Sequence, residues 1–164
     1  CDQGVLQQIG RGLYKLADAP IDSGTSLAEA ARIQPRGVIC LLSALQFHEL
    51  TTQTPHMVWM MLGQKDWAPV NASVALKIVR ASGEALTAGV ETHMIDGVPV
   101  PITDPAKTVA DCFKHRNKIG IDVAVEALRD FMKIRSRRDL NQIYRYAQLD
   151  RVQSVMRPYL EAIV

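Results

Sequence analysis

Two apolar-alternating runs meet at Asp96-Gly97 in "VETHMIDGVPVPIT" (90–103), and no other stretch constrains the chain as tightly. Asp-Gly between alternating runs is a two-residue hairpin turn, so these residues are expected to form two adjacent antiparallel strands. Pro99 and Pro101 fall on one face of the return strand and cannot donate to a ladder, which reads that strand as a sheet edge. Immediately downstream, "TDPAKTVADCFKHR" has Thr103 or Asp104 as a helix cap, Pro105 at the first helical position and Val109, Cys112 and Phe113 as an apolar stripe. A hairpin feeding directly into an amphipathic helix implies an α+β domain.

The remaining elements follow from the punctuation. "HMVWMML" (56–62) and "VALKIVRAS" (74–82) read as short strands. "LAEAARIQP" reads as a helix capped by Ser26 and stopped before Pro35, and "RGVICLLSALQFHELT" (36–51), apolar on nearly all sides, as a buried helix. Towards the C-terminus, "GIDVAVEALRDFMKIR" (120–135) repeats helical spacing through Ile121, Val125, Leu128 and Met132. "SRRDLNQIYRYAQLD" starts at a Ser136 cap, and "VQSVMRPYLEAIV" is kinked or restarted at Pro158. The expectation is a small antiparallel sheet followed by a C-terminal helical bundle.

"GVLQQIGRGLYKL" (4–16) contains a second hairpin, with Val5–Ile9 and Leu13–Leu16 joined across Gly10-Arg11-Gly12. It is separated from the rest by the Pro-, Gly- and Asp-rich stretch "ADAPIDSGTS" (17–26). The division expected is residues 1–18, a linker at 19–26, and a main domain at 27–164. The hairpin reads either as an edge of the main sheet or as the wing of a winged helix-turn-helix, with Arg11 at its tip and Lys15 on its return strand beside DNA. Under the second reading "CDQG" is the end of a recognition helix, and the helices expected ahead of it lie before Cys1.

Composition excludes several classes. With 48% hydrophobic and 22% charged residues, the chain is rich enough in apolar groups to bury a core and is not a disordered tail. The longest apolar run, Val38–Leu45, is interrupted by Ser43 and is far below the roughly 20 residues needed to cross a bilayer. Three cysteines, Cys1, Cys40 and Cys112, are too few and too scattered for a disulfide framework, so reduced thiols in a cytoplasm are expected. The net charge of +2 is unevenly spread: residues 1–106 hold 7 Lys/Arg against 10 Asp/Glu, whereas residues 107–164 hold 12 against 7. The excess lies in "KHRNK" (114–118) and "KIRSRR" (133–138), which makes Arg116, Lys118, Arg135, Arg137 and Arg138 candidate phosphate contacts. Cations at helix C-termini, facing the negative end of the dipole, give the same pattern without a ligand.

Catalytic signatures are sparse. Cys112-x-x-His115 has the spacing of a metal-ligand pair, but no second pair accompanies it, and His48, His56 and His93 form no helix-face motif. Asp104-x-x-Lys107 has a nuclease-like pair of residue types, yet it falls where an Asp simply caps a helix. Thr108 and Asp111 read as a buried or capping polar pair. No phosphate loop, nucleophile elbow or paired-carboxylate motif is present. The expectation is therefore a protein that is not an enzyme, without a cofactor or a metal.

Three segments, "CDQGVLQQIGRGLYKL", "SLAEAARIQPRGVICLLSALQFHELTTQTPH" and "GVETHMIDGVPVPITDPAKTVADCFKHRNKIGIDVAVEALRD", together resemble the AbiEi family of abortive-infection antitoxins and transcriptional regulators, in order and spacing over essentially the whole chain. The resemblance implies a prokaryotic cytoplasmic protein with an N-terminal winged helix-turn-helix and a C-terminal antitoxin domain, used in phage defence. It implies repression of its own operon through operator DNA. It further implies opposition to a nucleotidyltransferase-like toxin without a stable complex, and no membrane association. On this sequence the wing maps to Val5–Leu16, with Arg11 and Lys15 as phosphate contacts, and the antitoxin domain to about 27–164. The competing expectation is a protein-interaction module that meets an acidic surface through its basic C-terminal helices. A third is a nuclease or transferase built on Asp104 and Lys107.

Overall fold

The computed structural model describes residues 6–8, 14–16, 23–70, 72–134 and 137–163. At the N-terminal end, β1 (Leu6–Gln8) pairs antiparallel with β2 (Tyr14–Leu16), with Leu6 opposite Leu16 and Gln7 opposite Lys15. These strands form a two-stranded sheet of their own and are not an edge of the larger one. The residues that join them, including Arg11, lie outside the described ones.

The main domain opens with α1 (Ser23–Ile33), which starts about one turn before the expected Ser26 cap and so takes up part of the expected 19–26 linker. There follow β3 (Val38–Ile39), α2 (Leu41–Phe47), β4 (Val58–Gly63), β5 (Leu76–Ala81), the short α3 (Glu84–Thr87), β6 (Val90–Ile95) and β7 (Val98–Thr103). Helices complete the chain: α4 (Pro105–Lys114), α5 (Arg116–Ile119), α6 (Ile121–Ile134), α7 (Arg137–Leu149) and α8 (Gln153–Ile163), the last running through Pro158 without a restart. Among the described residues no helix is long and apolar enough to cross a membrane.

The α+β class is the one expected, with the C-terminal region helical. Among the described residues, five strands form one sheet in the order β5-β4-β3-β7-β6. It is mixed rather than purely antiparallel: β3–β4 and β6–β7 are antiparallel, whereas β4–β5 and β3–β7 are parallel. Parallel pairing needs long crossovers that no local turn signal records. Both faces are covered. Leu27, Ala30 and Ala31 of α1 pack on Ile39, Met60, Leu62, Val100 and Ile102, while α2, α4, α6, α7 and α8 pack on Val38, Met61, Val79 and Ala81. Consecutive β4 residues thus point into different cores, which explains why "VWMML" is apolar throughout instead of alternating.

Two expectations need correction. Residues 36–51 are not one helix: Val38–Ile39 extend as the central strand, Cys40 is extended at φ −145°, and Leu41 turns the chain at φ +49° into α2. An unbroken apolar run does not distinguish strand from buried helix, and pairing with β4 and β7 decides it. The second correction concerns the proline strand β7, which is next to the edge while β6 forms the edge itself. In a two-residue hairpin Ile95 and Val98 close the turn as a hydrogen-bonded pair, so alternation places Pro99 and Pro101 at non-bonded positions towards β6. On the other side β3 meets β7 only at Ile39–Ile102, past both prolines. The Asp96-Gly97 turn itself is as expected, with φ +51° and +76°, the two positive values of a type I′ turn.

Candidate functional site

Side-chain chemistry in the main domain concentrates on α4. Its cap forms as the sequence implies: the Asp104 carboxylate accepts the Lys107 N–H at 2.7 Å, with Pro105 in the first turn. The other Asp104 oxygen accepts the Tyr146 hydroxyl of α7 at 3.2 Å. Half-burial raises the Asp104 carboxyl above its ordinary range against the opposing pull of these two bonds. Tyr146 is pushed up to about 12 by its own burial and by the neighbouring Asp104 carboxylate.

One turn on, Lys107 is fully buried. Its Nζ donates to Asp111 Oδ1 at 2.6 Å and to the Ala85 carbonyl at 3.1 Å. The lysine stem lies against Gly89, whose φ is +70° and where a Cβ would come within 2.7 Å of Lys107 Cβ. Only glycine combines that backbone with that clearance.

The second oxygen of Asp111 faces Asp150, which sits just after α7, and the two carboxyl groups lie within hydrogen-bond reach of one another. Asp111 Oδ2 and both Asp150 oxygens are buried and meet no donor. A carboxyl that keeps its proton in this setting can donate it to the neighbouring carboxylate. Burial, followed by Asp150, raises the Asp111 carboxyl well above its usual range, while Lys107 opposes the shift. With one proton retained, the Lys107–Asp111–Asp150 group is electrically neutral, the state a buried site favours. Beside it, Thr108 donates to the Asp104 carbonyl at 2.6 Å and its hydroxyl lies 2.6 Å from that of Thr103. Thr108 and Asp111 are thus buried polar groups as expected, although each has partners of its own.

This arrangement ties α4 to α7 and favours a protonated Asp111. It does not bring Asp104 and Lys107 to a common open face, because the ammonium points inward. At the rim, Phe47 lies against His48 and His93 with ring centroids 5.2 and 4.8 Å away, and a 2.7 Å bond joins His48 Nε2 to the Thr103 carbonyl oxygen. Burial lowers His48, so it is neutral at pH 7. Cys112 is buried, and desolvation raises its thiol; His115 is lowered to about 4 by burial and then by Lys118 and Lys114. Among the described residues no three His, Cys, Asp or Glu side chains are placed to hold a metal ion.

The residues expected to contact DNA fall in three places. Lys15 lies in β2 and Arg11 outside the described residues. Arg116 and Lys118 share α5, where Arg116 donates to the Phe113 carbonyl at 2.8 Å and closes the end of α4. Arg137 and Arg138 open α7, and Arg135 lies outside the described residues. Between these two basic groups stands α6, 14 residues long, which at about 1.5 Å per residue separates them by roughly 20 Å. The dipole argument fits Lys114, Lys133 and the candidate contacts Arg116 and Lys118, each in the last turn of its helix, but not Arg137 and Arg138, which occupy a first turn where cations are disfavoured.

Sequence reading missed the part played by Asp150 and Tyr146. Lys107 and Asp111, four residues apart on one helix, carry a local signal of an ion pair. Asp150, just after α7, and Tyr146, within it, lie about 40 residues beyond Asp111 and Asp104 and carry none. Compared with protein-family models and with curated proteins, the chain matches none.

Proposed function

We propose that the chain is a DNA-binding transcriptional regulator with an AbiEi-like antitoxin domain, acting in a prokaryotic cytoplasm. It represses its own operon and counteracts a nucleotidyltransferase-like toxin without a stable complex. The observation that carries this reading is the pairing of β1 with β2 as a separate two-stranded unit, with Lys15 opposite Gln7. A free-standing basic hairpin suits the wing of a winged helix, which meets the DNA backbone or minor groove. Arg137 and Arg138 add support, since their place in the first turn of α7 is one the helix dipole does not favour. Phosphate contacts position a protein on the duplex, while base contacts select the site.

The test is fluorescence anisotropy with duplex DNA from immediately upstream of the gene, over a range of salt. Arg11→Glu with Lys15→Glu should weaken binding and reduce the salt slope by about 2, the loss of two phosphate contacts. Unchanged affinity and slope would refute the wing assignment. A second reading, a protein-interaction module, is favoured by the groove of about 510 Å³ between α7 and α8, lined by Tyr144, Ala147, Leu160 and Arg157. Stoichiometric co-purification with the toxin, abolished by Leu160→Glu in a folded protein, would put that reading first.

A further inference from the structure

Beyond β4 the chain leaves the sheet through Gly63-Gln64-Lys65-Asp66-Trp67, and an unusual number of side chains fix this turn. Asp66 Oδ2 accepts the Gly63 N–H at 2.9 Å, and Asp66 Oδ1 accepts Arg36 Nη1 at 2.9 Å. Arg80 Nη1 donates to the carbonyls of Gly63 at 2.7 Å and Asp66 at 2.6 Å, and the Gln34 side-chain amide donates to the Trp67 carbonyl. The Gly63 N–H, followed by Arg36, lowers the Asp66 carboxyl, so it is ionised at neutral pH. Ala68 then packs against the α1 side of the core. What this scaffold presents is an indole 65% exposed, with Val70 77% exposed nearby.

A tryptophan held outward on a fixed backbone contributes little to the core, yet it is pre-organised for a ligand. Charge and shape select the ligand. Arg36, 78% exposed at its side chain, offsets the one carboxylate of the turn, Asp66, while Lys65, which is exposed, and Arg80 have no carboxylate opposite them in the turn, so the charge of the turn is positive. An indole buries roughly 150–250 Å² when covered, and its flat face matches one planar base. We propose that the 63–70 turn is a stacking site for an unpaired base of single-stranded nucleic acid, with Trp67 as the platform and Arg36 and Lys65 meeting the adjacent phosphates. The ligand is an unpaired strand, not the duplex of the preceding section, so either assignment can fail without the other.

The test uses an oligothymidylate of about a dozen nucleotides. In a Trp59→Phe protein, where Trp67 is the remaining indole, titration should quench the fluorescence to saturation, and salt should weaken the binding. Trp67→Ala should weaken binding of the fluorescein-labelled strand by about tenfold or more, the range expected for loss of one stacked base. Lys65→Glu, which leaves the turn's hydrogen bonds in place, should weaken it further and lower the salt slope. If Trp59→Phe unfolds the protein, anisotropy of the labelled strand against wild type and Trp67→Phe decides instead, with affinity retained by Phe and lost by Ala. Absence of quenching, unchanged affinity in Trp67→Ala, or equal quenching by a duplex of the same length would overturn the proposal. Equal quenching by polyglutamate would also overturn it, in favour of an acidic polypeptide partner.

Discussion

Replacing Asp150 by asparagine tests whether a proton is held between Asp111 and Asp150. In the folded protein the Asp111 carboxyl is raised well above 3.8 by burial, by its bond to Asp150 and by that group's charge. Between the ordinary carboxylate range and this raised value, the native state holds a proton that the unfolded chain has released. The contribution is fully present below the unfolded pKa and is lost as pH rises through the folded one. Its slope is about −1.4 kcal/mol of stability per pH unit while a whole proton separates the two states. The Asp150→Asn change removes the second carboxylate and offers a side-chain N–H to Asp111 Oδ2, so Asp111 ionises against Lys107 and the window narrows. His115, lowered to about 4, and His48, also lowered, act in the opposite sense below about pH 6.5. Subtracting the two proteins removes most of that shared background. Urea unfolding at pH 5 to 8 should therefore show Asp150→Asn gaining on wild type as pH rises, by about 1.4 kcal/mol per unit wherever only the wild type keeps the proton. A stability difference that does not change with pH would refute the shared proton, and one that moves the other way would reverse the charge assignment.

Two further outcomes follow from the same region. Gly89→Ala places a Cβ 2.7 Å from Lys107 Cβ at φ +70°, and should cost about 1–3 kcal/mol, read as a fall in the urea midpoint with the m-value unchanged. An unchanged midpoint would refute both the clash with Lys107 and the strain of the positive φ. Asp104→Ala removes both the α4 cap and the acceptor of Tyr146, so stability should fall by about 1–2 kcal/mol. The same change should bring the highest tyrosine titration, monitored by ultraviolet absorbance, down from about 12 towards 10. No movement of that titration would show that burial alone holds Tyr146 up.

Several elements were legible because their causes lie within a few residues. Asp96-Gly97 dictates positive φ at two successive positions, and a hairpin follows; Asp104 and Pro105 start α4 by satisfying or lacking the N–H groups of its first turn. The spacing of Ile121, Val125, Leu128 and Met132 marked α6 as a helix, although the face it buries is Val123, Ala124, Ala127, Leu128, Phe131 and Met132 and Ile121 is exposed. Thr108 and Asp111, read as a buried or capping polar pair, are buried.

What tertiary structure alone decided involves partners distant in sequence. "RGVICLLSALQF" is compatible with a helix throughout, and it becomes strand, turn and helix because Val38 and Ile39 find β4 and β7. Asp150 is an ordinary residue at the end of a helix until folding sets it against Asp111. No pattern in the sequence singles out Trp67, and its exposed position follows from the turn that Gln34, Arg36 and Arg80 fix. By itself, then, the sequence determined the hairpins, the caps and the amphipathic helices, whose energies depend on near neighbours. The mixed sheet, the raised Asp111 carboxyl and the fixed turn that carries Trp67 depend on contacts across tens of residues, and only the closed fold supplies them.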